Sequence, residues 1–308
     1  MTQGAQQLQH DGPQSRLGGS TVVWRFVEGT PGHEKQSAGL LQGLSQRVAV
    51  ELITVDVGHA GWRQELATAP DPDLLIGAGH RVHVPMLWSR WRRGGRCVVL
   101  MKPSIPTFCF DLVLVPEHDH VWFANSVIFT EGTLSPVEVA DKPGDRGVVL
   151  LGGESRHFAW QDAGIAELVR AAVAAAPEIS WTVADSRRTP PATRELLTEQ
   201  TDFDYVHYAD TDVGWLTQQL ARASYVWVTA DSVSMLYEAM ASGASVGVLD
   251  LRPLNPDNKL VNGIDQLVER QVVAHSSNSL QLPLRGLIPP LREHERCADL
   301  IVRRFLAG

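Results

Sequence analysis

YVWVTADSVSMLYEAMASGASVGVLDL, residues 225–251, sets a strand, a polar turn, a helix and a second strand end to end. Residues 225–228 are apolar, aromatic and β-branched, the composition of a strand covered by helices on both faces. Thr229-Ala230-Asp231-Ser232 turns the chain and places Asp231 or Ser232 to cap the next helix. In 233–242 the apolar Val233, Leu236, Ala239 and Met240 recur at offsets of three and four, and Gly243 follows where a left-handed helix end needs it. This is one βαβ unit, so it predicts a parallel sheet. A parallel strand ending at a helix N-terminus is where such sheets bind phosphates and sugars. Ser234 and Glu238, four residues apart, share the helix face that would meet such a ligand.

The same grammar extends outward in both directions. Upstream, 147–151 reads as a strand, then Gly152-Gly153-Glu154-Ser155-Arg156-His157, then a helix over 162–175. Further strands at 179–184 and 205–208 and helices at 189–199 and 212–223 lead into the opening stretch; helices at 259–269 and about 291–306 follow it. The first half begins with a strand at 21–27 and a glycine-containing turn, residues 28–36, that opens a helix running to residue 44. Strands follow at 50–55, 73–76, 96–101 and 111–116, with a helix at 83–91. Gly77 and Gly79, ahead of His80, either let the backbone approach a ligand or let helix and strand pack closely. Residues 131–146 lose all periodicity and carry two prolines, which marks a linker. The pattern predicts an α/β protein of two Rossmann-like domains, 21–140 and 147–285, facing each other across a cleft, with 286–308 crossing back onto the first domain and 1–20 a disordered tail.

SVSMLYEAMASGASVGVLDL is similar to the donor-site segment of two-domain GT-B glycosyltransferases. Together with VTADSVSM it resembles the mitochondrial fission ELM1-like family of predicted glycosyltransferases. That family has an Asp-Gly…Gly-His-x-x-Gln pattern near its start, and this chain supplies Gly29, Gly32, His33 and Gln36, with Glu28 for the aspartate. The resemblance implies a GT-B fold that works without a metal or a cofactor. A nucleotide-sugar would be the donor substrate and a hydroxyl compound, such as a cell-envelope glycan or glycolipid, the acceptor. Glu238 would accept hydrogen bonds from the ribose hydroxyls. Gly152, Gly153, Ser155 and Arg156 would hold the diphosphate beside Asp231, Ser232 and Ser234. His33 would be the base, with Glu28 competing for that role, and Gly32, Gln36, Gly77, Gly79 and His80 would form acceptor-side loops. A non-catalytic scaffold and a nucleotide-sugar epimerase are the other classes such a cleft accommodates.

Bulk properties narrow the field. The net charge of -8 argues against generic nucleic-acid binding. Cys97, Cys109 and Cys297 are odd in number and lack metal-site spacing, which fits a reducing cytoplasm rather than a disulfide framework. No run has the length of a membrane-spanning helix. Glu117-His118-Asp119-His120 has metal-ligand chemistry, but alternate residues on an extended chain point apart, so it reads as a cleft or structural loop. WSRWRRGGR, residues 88–96, reads either as a solvated helix end with buried tryptophans or as a peripheral contact for anionic lipid at the inner face of the membrane.

Overall fold

The computed structural model describes residues 19–117, 124–132, 134, 136, 142–212, 214–256, 258–280 and 291–307. Residues 1–18 of the expected tail, 118–120 of the His/Asp-rich turn and the expected boundary at 285 lie outside the described residues.

The first half builds a six-stranded sheet from β1 (Thr21–Val27), β2 (Val50–Asp56), β3 (Leu74–Ala78), β4 (Arg96–Leu100), β5 (Leu112–Pro116) and β6 (Val127–Thr130). Its order is β2-β1-β3-β4-β5-β6 and every pair is parallel. The second half builds another from β7 (Arg146–Leu150), β8 (Ser180–Ala184), β9 (Asp204–Val206), β10 (Tyr225–Thr229), β11 (Ser245–Leu249) and β12 (Ala274–His275). Its order is β12-β11-β10-β7-β8-β9, again all parallel. The α-helices are α1 (Pro31–Ser45), α2 (Trp62–Thr68), α3 (His83–Arg93), α4 (Asp162–Ala174), α5 (Pro191–Thr198), α6 (Trp215–Arg222), α7 (Val233–Ala241), α8 (Lys259–Glu269) and α9 (Glu293–Ile301). β3 and β5 are buried at every position, as strands covered on both faces must be. Separate apolar clusters fill the two faces of the first sheet, around Trp24 and Phe26 on one and Leu40, Leu44 and Ile76 on the other.

Topology fixes where ligands can go. In the first sheet β1 has β2 on one side and β3 on the other, so the strand order reverses between β1 and β3. In the second it reverses between β7 and β10. Open α/β sheets bind ligands outside the carboxyl ends of the strands at such switch points. Those ends carry Glu28 and Gly79 in the first half, and Gly152 and Asp231 in the second.

Three elements escape the sequence pattern: α2, β6 and β12, which are seven, four and two residues long. Each is too short to show a period. Gly243 does take the left-handed conformation expected after α7, at φ 75°.

After the second sheet the chain returns to the first. Cys297, Ala298 and Ile301 of α9 are buried with Leu40 and Leu44 of α1. Gly43 permits this: a Cβ there would sit 2.5 Å from the His294 carbonyl oxygen. Arg47 clamps the contact by donating to both carboxylate oxygens of Asp299, at 2.5 and 3.0 Å. Buried in this contact, the His294 imidazole is held below the usual histidine range by desolvation, with Glu295 opposing and Arg292 and Arg47 assisting. His83 is shifted the same way, by its own burial and by His80, with Glu28 opposing. A depressed folded value means that the unfolded chain binds the proton first. The stability from the neutral rings is therefore complete above about pH 6.5 and is lost as pH falls through the folded values. Thermal midpoints should drop across the mildly acidic range, and His294→Gln should shallow that drop without flattening it, because His83 remains.

Candidate active site between two switch points

Glu28 follows β1 and His33 lies in the first turn of α1. The turn between them folds back so that His33 Nδ1 lies 2.6 Å from Glu28 Oε1. The Glu28 side chain is only 5% exposed and His33 24%. Glu28 Oε2 accepts the Arg81 backbone N–H at 3.0 Å, and Oε1 also accepts the Thr30 hydroxyl at 3.3 Å. Burial pushes this carboxyl up, but the bonds from His33, Arg81 and Thr30 prevail and hold it below its usual range. The lowered value weakens Glu28 as the competing base, and the bond to Nδ1 sets the orientation of the His33 ring. With Nδ1–H donated to Glu28, the His33 Nε2 carries the lone pair.

Gly79 makes room for this pair. Its φ is 97°, and a Cβ there would lie 2.2 Å from Glu28 Oε1 and 2.5 Å from His33 Nδ1. Gly77 has the other role that the sequence left open: a Cβ there would meet Met86 Sδ at 2.7 Å, so it serves helix packing. Gln36 is buried within α1, and the His80 ring is 6.3 Å from that of His83.

Across the cleft, the loops after β7, β8 and β10 are knitted together. Gly152 N–H donates to Thr229 Oγ1 at 2.8 Å and Gly153 N–H to Asp231 Oδ2 at 3.0 Å. The Gly152 carbonyl accepts from the hydroxyls of Ser186 and Thr189, at 2.6 and 2.5 Å. Arg188 reaches Asp231 Oδ2 at 2.8 Å and donates to Ser232 Oγ at 2.9 Å. Two expectations change here. Glycine N–H groups predicted to wrap a diphosphate are already spent on Thr229 and Asp231. And neither Asp231 nor Ser232 caps α7, because both face Gly153 or Arg188 instead. The leading N–H groups of α7 are therefore left for water or a ligand.

A cavity of about 700 Å³ occupies the cleft, reaching from Gly32 on α1 to Ser232, Ser234 and Met235 on α7. Asp185, Ser186, Arg187 and Arg188 also line it, as do Tyr208, Trp215 and Leu216. Ser155 and Arg156, singled out by the sequence, instead line a separate recess with Trp160 and Leu254. Ser155 Oγ accepts the Phe158 N–H at 3.1 Å, and Arg156 Nε donates to His157 Nε2 at 3.0 Å. The cation beside Ser232 is Arg188. Beneath it, Asp185 is buried and accepts from Tyr205 Oη at 2.8 Å, His207 Nδ1 at 2.7 Å and the Tyr208 N–H at 2.6 Å. That network fixes the loop after β8 on which Arg188 rides.

Lys35 bridges the halves. Its Nζ donates to Glu238 Oε2 at 2.5 Å, joining the first turns of α1 to α7 across the cleft. Lys35 was not legible as a site residue; Glu238 was, but its partner was not.

The family model described as Mitochondrial fission ELM1 matches residues 31–305. The chain belongs to that family. Within the ELM1 family's reach the match takes in His33, Arg188 and Glu238, while Glu28 lies just ahead of it. Among curated proteins, the chain is similar to the uncharacterized protein RP120 of Rickettsia prowazekii (strain Madrid E), at 22% identity over 77% of this chain and 81% of that one. Among solved structures, it is similar to a Listeria monocytogenes protein assigned as a UDP-N-acetylglucosamine 2-epimerase, with a TM-score of 0.56 at 13% identity over 92% of this chain and 95% of that one. It is likewise similar to the glycotransferase of kitacinnamycin, with a TM-score of 0.52 at 13% identity over 93% and 99%. These likenesses are of fold: this ELM1-family chain has the two-domain α/β architecture of GT-B type.

Proposed function

We propose that the chain is a glycosyltransferase that moves a sugar from a nucleotide-activated donor to a hydroxyl acceptor, with the reaction in the cleft. The observation that carries this reading is the Glu28–His33 pair at the switch point of the first sheet, opposite an uncapped helix and a cation at the switch point of the second. The acceptor hydroxyl would give its proton to His33 Nε2 as its oxygen attacks the anomeric carbon. The bond from that carbon to the diphosphate oxygen breaks, and the leaving negative charge falls to Arg188 and the leading N–H groups of α7. Glu28 keeps the imidazole in the tautomer this needs and steadies the imidazolium that forms. The aromatic side chains among the cavity's lining, Tyr208 and Trp215, suit a nucleobase.

Incubation with a panel of nucleotide-sugars and added hydroxyl acceptors tests this. Glycosylated acceptor supports the reading; a free epimer product would make the chain an epimerase, and binding without turnover a scaffold.

Glu238 supplies a second test of the donor site. Lys35 holds one of its oxygens, so a ribose that takes that oxygen would displace the lysine and the Lys35 bond would oppose binding. Lys35→Ala is expected to tighten donor binding about two- to fivefold, the scale of a partly solvated ion pair. Glu238→Ala is expected to weaken it about tenfold. Titration calorimetry with the same nucleotide-sugar measures both; a loss of affinity in Lys35→Ala would place the lysine, not the glutamate, on the ligand.

A further inference from the structure

Helix α3 has a buried face and, on the side away from it, an apolar stripe. His83, Met86 and Ser89 are buried against the first sheet. Around the helix from them, Val84, Leu87, Trp88 and Trp91 recur at offsets of three and four, which puts them on one face. Val84 is 67% exposed and Trp91 79%. Leu87 and Trp88 are half-buried at the edge of the core, with Trp88 edge-on to Trp62 at 5.5 Å. Phe108, 82% exposed, stands on the short turn Thr107–Cys109. That turn is tethered to α3, since Arg90 donates to the Cys109 carbonyl at 3.1 Å and the His83 ring lies 5.5 Å from that of Phe110. Three of the six exposed large hydrophobic residues among those described thus belong to α3 and the turn it holds.

The charges around this face are positive. The Arg92 guanidinium lies over the Trp88 and Trp91 rings at 5.5 and 5.7 Å, and that of Arg63 over Trp62 and Trp88 at 4.5 and 5.5 Å. Arg90 and Arg93 on the same helix are paired with Asp111 and Asp71, whereas Arg63 and Arg92 take part in no ion pair among the described residues. Unneutralised guanidinium groups beside exposed aromatic rings, on a chain whose net charge is -8, match a surface that is both anionic and apolar beneath. A two-fold contact through this face would gather the arginines of both copies into one interface, so self-association is disfavoured.

We propose that this face of α3, with Phe108, docks on an anionic phospholipid surface, the rings seated at headgroup depth and Arg63 and Arg92 on the phosphates. The inference stands apart from the chemistry of the cleft.

Co-sedimentation with vesicles of phosphatidylcholine alone, or mixed with phosphatidylglycerol, tests it on the full chain. The protein is expected to pellet with the mixed vesicles only, and less so as salt rises. Trp91→Ala with Phe108→Ala should lower the partition coefficient about tenfold or more. Arg63→Gln with Arg92→Gln should lower it about fivefold per arginine and lessen the salt dependence. These side chains are on the surface, so thermal midpoints and circular dichroism of the variants are expected to match the parent. No pelleting, equal pelleting with both vesicle types, or variants that partition like the parent would overturn the proposal. So would light scattering that shows a dimer split by the aromatic variant with no vesicle binding.

Discussion

His33→Ala is expected to lower glycosyl transfer by about 10²–10⁴-fold while leaving the affinity for the nucleotide-sugar within about twofold, because it removes a proton acceptor and not a donor contact. The imidazole sits on α1, in the half of the molecule opposite Arg188 and Ser232, so its loss leaves the contacts of that pair untouched. Single-turnover rates beside calorimetric binding separate the two effects. Glu28→Gln offers the finer comparison. With its oxygen on the Arg81 N–H, the amide would turn its NH2 to His33 Nδ1 and favour the tautomer protonated on Nε2, so the rate should fall nearly as far as in His33→Ala while donor affinity holds. If His33→Ala transferred sugar at the parental rate, the base would have to be found elsewhere. If both variants lost donor binding together, the pair would belong to the scaffold that shapes the cleft.

The sheets and their switch points were legible in the sequence because parallel strands are nearly continuous apolar runs, and each run here ends in a polar or glycine-containing turn. Parallel topology brings all those turns to one edge, so a reading that finds the strands has already gathered the site residues. What it cannot find is which turn meets which. Gly79 clears space for Glu28 and His33, with α1, β2, α2 and β3 between Glu28 and Gly79 in the chain. Arg156 looked like the phosphate cation because it adjoins the two glycines, but the loop bends through the Ser155 turn and carries it into another recess. Arg188 lies in the turn after a different strand, in Asp185-Ser186-Arg187-Arg188. The signal that could have singled it out was the kinship of that turn to the ones after β7 and β10. The misread cap has a similar origin: Asp231 can serve α7 or a distant backbone N–H, and only the fold decides for Gly153. Lys35 and Glu238, far apart in sequence, meet only once both halves are assembled.

Arg188→Ala is expected to cost both stability and donor binding, and the two losses have separable causes. The Asp231 side chain has no exposed surface. Its Oδ2 is held by the Gly153 N–H and Arg188, while Oδ1 has no partner among the described residues. Removing the guanidinium leaves a buried carboxylate with one firm hydrogen bond. Breaking a fully buried pair costs about 3–5 kcal/mol; Arg188 is partly solvated, so about 2 kcal/mol is the appropriate scale here. Urea unfolding reads it as an earlier midpoint with an unchanged slope. Asp231→Asn in the Arg188→Ala background removes the stranded charge, so the double variant should be more stable than Arg188→Ala alone. Equal instability would mean that the loss came from the loop contacts of Arg188 to the Gly153 and Glu154 carbonyls, at 3.4 and 3.3 Å. Donor affinity then tells the roles apart. A cation that meets the diphosphate is lost in both variants, so nucleotide-sugar binding should stay weakened by about tenfold or more even where stability returns. Restored binding in the double variant would make Arg188 a strut for the loop, and the leaving charge would fall to Arg187 and the N-terminus of α7 instead.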